Sequence, residues 1–162
     1  MPDLALDLGS GGGLPGLPLA LAWPETRWVL IEGGSRRADF LREATETLDL
    51  GDRVIVVSQR AEEAGHGGLR GSVDCVVARS FGAPAVTAEC AAAFLRVGGY
   101  LIVSEPPGGD PNRWEHAGLA LLGMRPGRVG VGPTSFQVID QVSPCPDRFP
   151  RRTGLPSKRP LF

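Results

Sequence analysis

The chain has 162 residues, a hydrophobic share of 42% and a formal net charge of -1, which together indicate one ordinary globular domain. No apolar run approaches the length of a membrane span, and the first residues lack the basic and apolar regions of a secretory signal. We therefore expect a soluble cytoplasmic protein with no membrane partner. Three cysteines without CxxC spacing and two distant histidines predict neither a disulfide framework nor a metal site.

The first predicted elements lie in the run LALDLGSGGGLPGLPLALA, Leu4 to Ala22. Its opening apolar residues predict a buried strand, and Asp7 lies at the carboxyl end of that strand, where open α/β sheets bind ligands. The glycines that follow let the backbone turn sharply and approach a ligand closely. Leu14 to Ala22 is predicted as a helix, whose first turn tolerates the two prolines.

Three classes of ligand bind at such a turn. A phosphate-binding loop would need Lys and then Ser or Thr after the glycines, where this chain has Leu and Pro, so this class is excluded. A dinucleotide fingerprint, with Glu32 as its acidic residue, stays open as the weaker alternative. S-adenosylmethionine is favoured, because Asp7 could attract its ammonium and Glu32 its ribose hydroxyls. The carboxylate of Asp7 would repel a pyrophosphate.

The rest of the chain alternates predicted strands and helices. The predicted strands are Arg27–Glu32, Arg53–Val57, Ser72–Ala78, Tyr100–Ser104, Arg128–Val131 and Phe136–Val142. The predicted helices are Ser35–Leu48, with Ser35 as N-cap, Pro84–Leu95 and Asn112–Leu122. This alternation predicts an α/β fold of the Rossmann-like, doubly wound type, with a single, mostly parallel sheet of about seven strands and an antiparallel last strand.

The end of the chain differs in composition from the rest. From Cys145 to Phe162 the net charge is +4, and the remaining residues carry -5. We expect a domain over residues 1–143 and a basic, proline-rich C-terminal arm over residues 144–162, extended or partly mobile. Such an arm could form a local basic patch that the whole-chain charge conceals.

Five motifs resemble one family. They are DLGSGGGLPGLPLA (Asp7 to Ala20), LIEGGSRRADFLRE (Leu30 to Glu43), RAEE (Arg60 to Glu63), VVARSFG (Val76 to Gly82) and PRRTGLPSKRPL (Pro150 to Leu161). Together they resemble the glucose-inhibited division protein B family over nearly the whole chain, and the proline-basic tail is the most specific part. That family consists of S-adenosylmethionine-dependent methyltransferases that modify guanine N7 in 16S ribosomal RNA of the small subunit.

The resemblance implies roles for two groups of residues. The cofactor-binding group would comprise Asp7, Gly9, Gly11 and Gly13 at the methionine end, Glu32 at the ribose, and Ala61 and Glu62 beside the adenine. The RNA-binding group would comprise Arg79, Phe81, Arg151, Arg152, Lys158 and Arg159. Within it, Arg79 is the candidate for positioning the substrate, Phe81 for stacking on the base, and the four tail cations for holding phosphates. The resemblance implies no metal and no certain catalytic residue.

This chain departs from the family pattern in two places. Family members usually carry an N-terminal helical segment before the glycine-loop strand, whereas this chain begins almost on that strand. We therefore expect a shortened form, with either self-association into a homo-oligomer or reduced stability. After the fifth predicted strand the family commonly has lysine and glycine, and this chain reads SEPPG, Ser104 to Gly108. Two alternatives follow from these departures: a paralogue that methylates another substrate, or a cofactor-binding protein without catalysis.

Overall fold

The computed structural model describes residues 1–106, 110–130 and 135–162, and its centre is a seven-stranded sheet. The strands are β1 (Leu4–Leu8), β2 (Arg27–Ile31), β3 (Val54–Val57), β4 (Val73–Ala78), β5 (Leu95–Glu105), β6 (Met124–Gly130) and β7 (Ser135–Gln141). The helices are α1 (Gly16–Ala22), α2 (Ser35–Thr47), α3 (Ala61–Ala64), α4 (Pro84–Ala92), α5 (His116–Leu121) and α6 (Leu155–Lys158), with one 3-10 turn at Pro111–Arg113.

The strand order across the sheet is β3-β2-β1-β4-β5-β7-β6. The central pairs, from β3 through to β5, are parallel, and β7 runs antiparallel to both β5 and β6. The predicted α/β architecture with an antiparallel last strand is therefore confirmed. The order reverses between β1 and β4, so the carboxyl ends of these neighbouring strands flank a crevice of the kind that binds ligands in open sheets.

The core has two parts, one on each face of the sheet. Alternate residues of the buried strands point to opposite faces, so Leu6 and Leu8 pack on one side and Ala5 on the other. Helix α4 and Phe94 complete the first cluster, and α1 and α2 cover the second. A parallel sheet buried on both faces explains why its strands read as continuous apolar runs in the sequence.

The predicted helix Pro84–Leu95 ends early. It stops at Ala92, and Leu95 already belongs to β5, where it pairs with Val73. Gly98 lies inside the strand with φ +84, next to a register irregularity in the β4–β5 pairing. The helical and extended interpretations of this apolar run were not separable by periodicity alone, and strand pairing decided between them.

Three smaller predictions about element boundaries were also wrong. The predicted helix Asn112–Leu122 is divided into the 3-10 turn and α5, because Asp110 caps the turn through the Asn112 amide. Ser35 is the first residue of α2 and Gly34 is its N-cap. Strand β6 begins at Met124 rather than at residue 128, and the predicted end of that strand, at residue 131, lies outside the described residues.

The SEPPG run departs from the family pattern at a place where the structure describes only its first part. Residues 107 and 108 lie outside the described residues. The carboxylate of Glu105 accepts hydrogen bonds from the Arg113 guanidinium at 2.8 Å and from the Trp114 indole at 2.6 Å. This negative charge is thus paired within the protein, which weakens its effect on a nearby ligand.

The C-terminal segment, residues 144–162, packs on the domain and includes the short helix α6, which the sequence did not predict. Phe149 is buried in the core, and Phe162 lies against Gly118. The Arg70 guanidinium donates hydrogen bonds to the carbonyl oxygens of Cys145, Pro146 and Phe149 at 2.8–3.1 Å. These contacts attach the segment to the loop before β4 and to α5.

Among the residues that the structure describes, no helix is long and apolar enough to cross a membrane, and no group of His, Cys, Asp and Glu could hold a metal ion. Cys75 is fully buried in β4. Burial raises the pKa of its thiol to about 12, so the thiolate is scarce at neutral pH.

Candidate cofactor site

The loop between β1 and α1, residues 9–15, wraps around the carboxyl end of β2. The Ser10 amide donates to the Ile31 carbonyl at 2.9 Å, and the Gly13 amide donates to the Ser10 carbonyl at 2.7 Å. Three glycines of the loop have positive φ: Gly9 (+71), Gly11 (+54) and Gly13 (+87). Because L side chains are strained in this conformation, the loop needs glycine at these positions.

Position 9 also requires glycine because there is no space there for a side chain. A Cβ built on Gly9 would lie 2.5 Å from Cδ2 of Phe81, which follows β4 on the neighbouring strand of the sheet. The ring of Phe81 therefore packs directly on the bare backbone of Gly9. Gly13 differs, because a Cβ there would clash with the Leu17 side chain, so that glycine serves the packing of α1.

Glu32 lies just after β2, and hydrogen bonds fix both oxygens of its buried carboxylate. Oε2 accepts from the Gly11 amide at 3.0 Å, and Oε1 accepts from the Gly34 amide and the Arg37 guanidinium, both at 2.7 Å. Burial alone would raise the pKa of Glu32, but the hydrogen bonds from Arg37, Gly34 and Gly11 hold it below its usual value. The carboxylate is therefore charged at neutral pH and has a free lone pair on Oε2.

Asp7 lies behind the glycine loop rather than in its opening. Its carboxylate is 1% exposed and accepts a hydrogen bond from the Gly16 amide at 3.0 Å, at the start of α1. Burial raises the pKa of Asp7 to about 6, although the Gly16 hydrogen bond and the charge of Arg79 act in the opposite direction. Asp7 thus holds the loop against α1 and carries a proton over part of the acidic range.

A cavity of about 530 Å³ opens at the carboxyl ends of β1, β2 and β3, a volume typical of small-molecule sites. Gly9, Gly11, Glu32, Ala61 and Glu62 line it, so five of the seven predicted cofactor-binding residues are brought together here. Asp7 and Gly13 do not line it; they support the loop from behind.

Sequence reasoning missed several lining residues. Gln59 and Arg60 follow β3 as Glu32 follows β2, so the rule that ligands bind at the carboxyl ends of strands could have found them. The aliphatic part of the Arg60 side chain packs on Gly33. Ser157 also lines the cavity, although it is 125 positions after Glu32, and no local signal in the sequence places it there.

The predicted RNA-binding residues have different environments. Arg79 is exposed at the end of β4, and Phe81 is half-buried in the cavity wall. In the C-terminal segment Arg152, Lys158 and Arg159 are exposed. The guanidinium of Arg151 instead pairs with the buried carboxylate of Glu89, with Nη2 2.7 Å from Oε2. This pairing occupies Arg151, so it offers little to an RNA phosphate.

The family model for GidB, rRNA small subunit methyltransferase G, matches residues 2–105. A relative of that name from Chloroflexus aggregans is 36% identical over 170 residues, covering 99% of this chain and 70% of the relative. Another, from Rubrobacter xylanophilus, is 40% identical and covers 96% of this chain and 64% of the relative. The chain belongs to the GidB family. It spans about two thirds of the length of these relatives.

Solved methyltransferases confirm the fold expected of a GidB family member. The 16S rRNA (adenine(1408)-N(1))-methyltransferase from Catenulisporales acidiphilia superposes with a TM-score of 0.70 at 21% identity, covering 89% of this chain and 87% of that one. The T. thermophilus 16S rRNA N2 methyltransferase RsmC, solved with AdoMet and guanosine, gives 0.64 at 22% identity, covering 90% of this chain and 37% of that one. At these identities the likeness concerns architecture alone.

The residues of the cavity fit S-adenosylmethionine, the methyl donor of the GidB family. The missing side chain at Gly11 leaves room for a ligand against the backbone of the loop, and Gly9 also lines the cavity, beside the Phe81 ring. The ionised carboxylate of Glu32 has an acceptor site free for a ribose hydroxyl. Glu32 would also suit the ribose of a dinucleotide, so the family match is what favours S-adenosylmethionine over that alternative.

Proposed function

We propose that this chain transfers a methyl group from S-adenosylmethionine to N7 of a guanine in 16S ribosomal RNA. The observation that carries the proposal is the cavity formed by Gly9, Gly11, Glu32 and Phe81 at the switch point of the sheet. The family match supports the methyltransferase class, and the position of guanine N7 rests on the family resemblance. A ribosomal substrate implies that the protein acts in the cytoplasm.

Methylation of guanine N7 needs no general base, because the nitrogen has a free lone pair and no proton at neutral pH. When bound, S-adenosylmethionine supplies the methyl group on a sulfonium. The task of the protein is to align the base and exclude water, which in favourable cases lowers a barrier by about 7–11 kcal/mol.

The chain's own residues divide this task. Glu32 holds the ribose, Gly9 and Gly11 let the ligand approach the backbone, and Ala61 and Glu62 border the adenine end. Phe81 is half-buried beside Gly9, where one face of its ring could stack on a guanine. Arg79, exposed two residues earlier, would orient the base or hold its phosphate.

Three exposed cations of the C-terminal segment, Arg152, Lys158 and Arg159, would contact RNA phosphates. Such contacts position the substrate without reading its sequence, and they weaken as salt rises because binding releases counterions. The net charge of +4 on residues 145–162 gives this segment the sign that RNA requires, against -5 on the remaining residues.

The function is tested in two stages. First, calorimetric titration with S-adenosylhomocysteine and with NAD separates the two cofactor classes; binding of NAD alone would exclude the methyltransferase. Second, small ribosomal subunits that lack the modification are incubated with protein and methyl-labelled cofactor, and the RNA is digested to nucleosides. Label in N7-methylguanosine supports the proposal. Tight cofactor binding without any labelled RNA would favour another substrate or a non-catalytic binding protein.

Replacing Glu32 with glutamine should weaken cofactor binding. The amide keeps one acceptor oxygen but loses the charge and the second acceptor, so Gly11, Arg37 and the ribose compete for what remains. Because a hydrogen bond to a charged group contributes about 1.5–3 kcal/mol, we expect the affinity for S-adenosylhomocysteine to fall about tenfold or more. Calorimetry measures this change, and Glu46→Gln, on an exposed position of α2, is the matched control. Unchanged affinity in Glu32→Gln would remove Glu32 from the site.

A further inference from the structure

The C-terminal segment forms part of the cofactor cavity. Ser157, in the short helix α6, lines the cavity together with the glycine loop and Glu62. Residues of the last twentieth of the chain thus complete a site that is otherwise built by its first two thirds. Two sets of contacts attach the stretch that leads into α6.

The strongest contact is a buried ion pair six residues before Ser157. Glu89 of α4 is fully buried, and both of its oxygens accept hydrogen bonds from one residue, Arg151. Oε1 accepts from the Arg151 backbone amide at 2.7 Å and from Nε at 2.9 Å, and Oε2 accepts from Nη2 at 2.7 Å. The side chain of Arg151 is 22% exposed. This bidentate geometry requires a guanidinium, and the ammonium group of a lysine cannot reproduce it.

A second contact lies between this ion pair and α6. The Gly154 amide donates to Oε1 of Glu62 at 3.0 Å, and the Thr153 hydroxyl donates to Glu63 at 3.2 Å. Glu62 lines the cavity, so one side chain borders both the cofactor site and the C-terminal segment. The stretch from Arg151 to Ser157 is therefore attached to α4 at its first residue and to α3 at Thr153 and Gly154.

We propose that Arg151 is a positioning residue, whose pairing with Glu89 holds α6 and Ser157 in the wall of the cofactor cavity. Cofactor binding and docking of the C-terminal segment then favour each other, because each is stronger when the other is in place. The inference rests on the proposed function in that the cavity is taken as the S-adenosylmethionine site. It assigns Arg151 a task different from that of the exposed cations Arg152, Lys158 and Arg159.

The variant Arg151→Lys tests this assignment with little risk to folding, because the charge facing Glu89 is kept. We expect its dissociation constant for S-adenosylhomocysteine, measured without RNA, to rise at least about fivefold, the lower end of ordinary coupling between sites. With RNA, KM for the cofactor should rise while kcat at saturating cofactor is retained. Arg148→Lys is the matched control. Arg148 is exposed and lies over the Phe149 ring, and the lysine variant keeps the positive charge.

A measurement on the unaltered protein tests the coupling independently. S-adenosylhomocysteine should slow hydrogen exchange of the backbone amides of Gly154, Leu155, Ser157 and Lys158 in the wild-type protein, and Arg151→Lys should speed it. The inference is overturned if the cofactor leaves this exchange unchanged, or if Arg151→Lys binds cofactor normally and only its KM for RNA rises. In both results the wild-type protein still binds cofactor and the proposed function stands. If the wild-type protein binds no S-adenosylhomocysteine, the proposed function itself fails.

Discussion

Replacing Gly9 with alanine should reduce the affinity for S-adenosylhomocysteine about 100-fold and destabilise the fold by about 1–3 kcal/mol. The new methyl group would lie 2.5 Å from the Phe81 ring, at a residue whose φ of +71 already disfavours L side chains. Relief requires the ring or the glycine loop to move, and both line the cavity. Calorimetry gives the affinity, and denaturant unfolding gives the free energy.

The matched control is Gly68→Ala, in the exposed loop before β4, where an added Cβ would meet nothing within 4 Å. It should bind cofactor as the wild-type protein does. A second comparison separates crowding from backbone strain: if crowding dominates, adding Phe81→Ala to Gly9→Ala should recover part of the lost stability, as a double-mutant cycle would measure. A Gly9→Ala protein that binds cofactor normally would refute the close contact between this loop and the ligand.

The second large effect concerns Asp7 and acidic pH. The pKa of its buried carboxyl is raised from 3.8 to about 6, so between these values the folded protein holds a proton that the unfolded chain has released. The stabilising contribution of the protonated group is complete below the unfolded value and is lost as pH rises through about 6. A shift of this size corresponds to about 3 kcal/mol in total.

The variant Asp7→Asn removes this titration and can still accept the hydrogen bond from Gly16. Relative to wild type, its free energy of unfolding should rise by about 2 kcal/mol between pH 4 and pH 7. Because the comparison uses the change with pH, a constant penalty for burying the amide does not affect it. Urea unfolding at a series of pH values measures it, with Asp52→Asn on the exposed surface as control. A difference that stays constant with pH would contradict the raised pKa.

Much of the cofactor site could be read from local patterns. Gly9 and Gly11 follow an apolar strand, and Glu32 closes the next one, so the parallel pairing of Leu8 with Ile31 brings them to one edge of the sheet. The prediction for Asp7 concerned the same edge but not the direction of the side chain. In the structure the carboxylate turns under the loop to the Gly16 amide. Strand alternation alone could not have indicated this, because the loop determines which groups remain accessible.

The C-terminal segment shows the opposite case. Its basic and proline-rich composition predicted an extended or partly mobile arm, and every cation in it had the same apparent role. The structure distinguishes these cations by their exposure to solvent. Arg151 pairs with a buried carboxylate, whereas Arg152 and Lys158 are exposed. Composition gives the net charge of a segment, but the ion pair of Arg151 depends on Glu89, which lies 62 positions earlier in the chain.

By itself, the sequence determined the class of the fold, the glycine loop and the acidic residue after β2, because each depends on residues close together in the chain. Only the tertiary structure decided which side chains line the cavity, where β5 begins, and that Ser157 reaches the candidate cofactor site. These features depend on strand pairing and on the pairing of a buried carboxylate with a guanidinium, and both interactions join residues that are distant in the sequence. A buried carboxylate such as Glu89 cannot remain unpaired at low cost, and its partner Arg151 comes from the distant C-terminal segment.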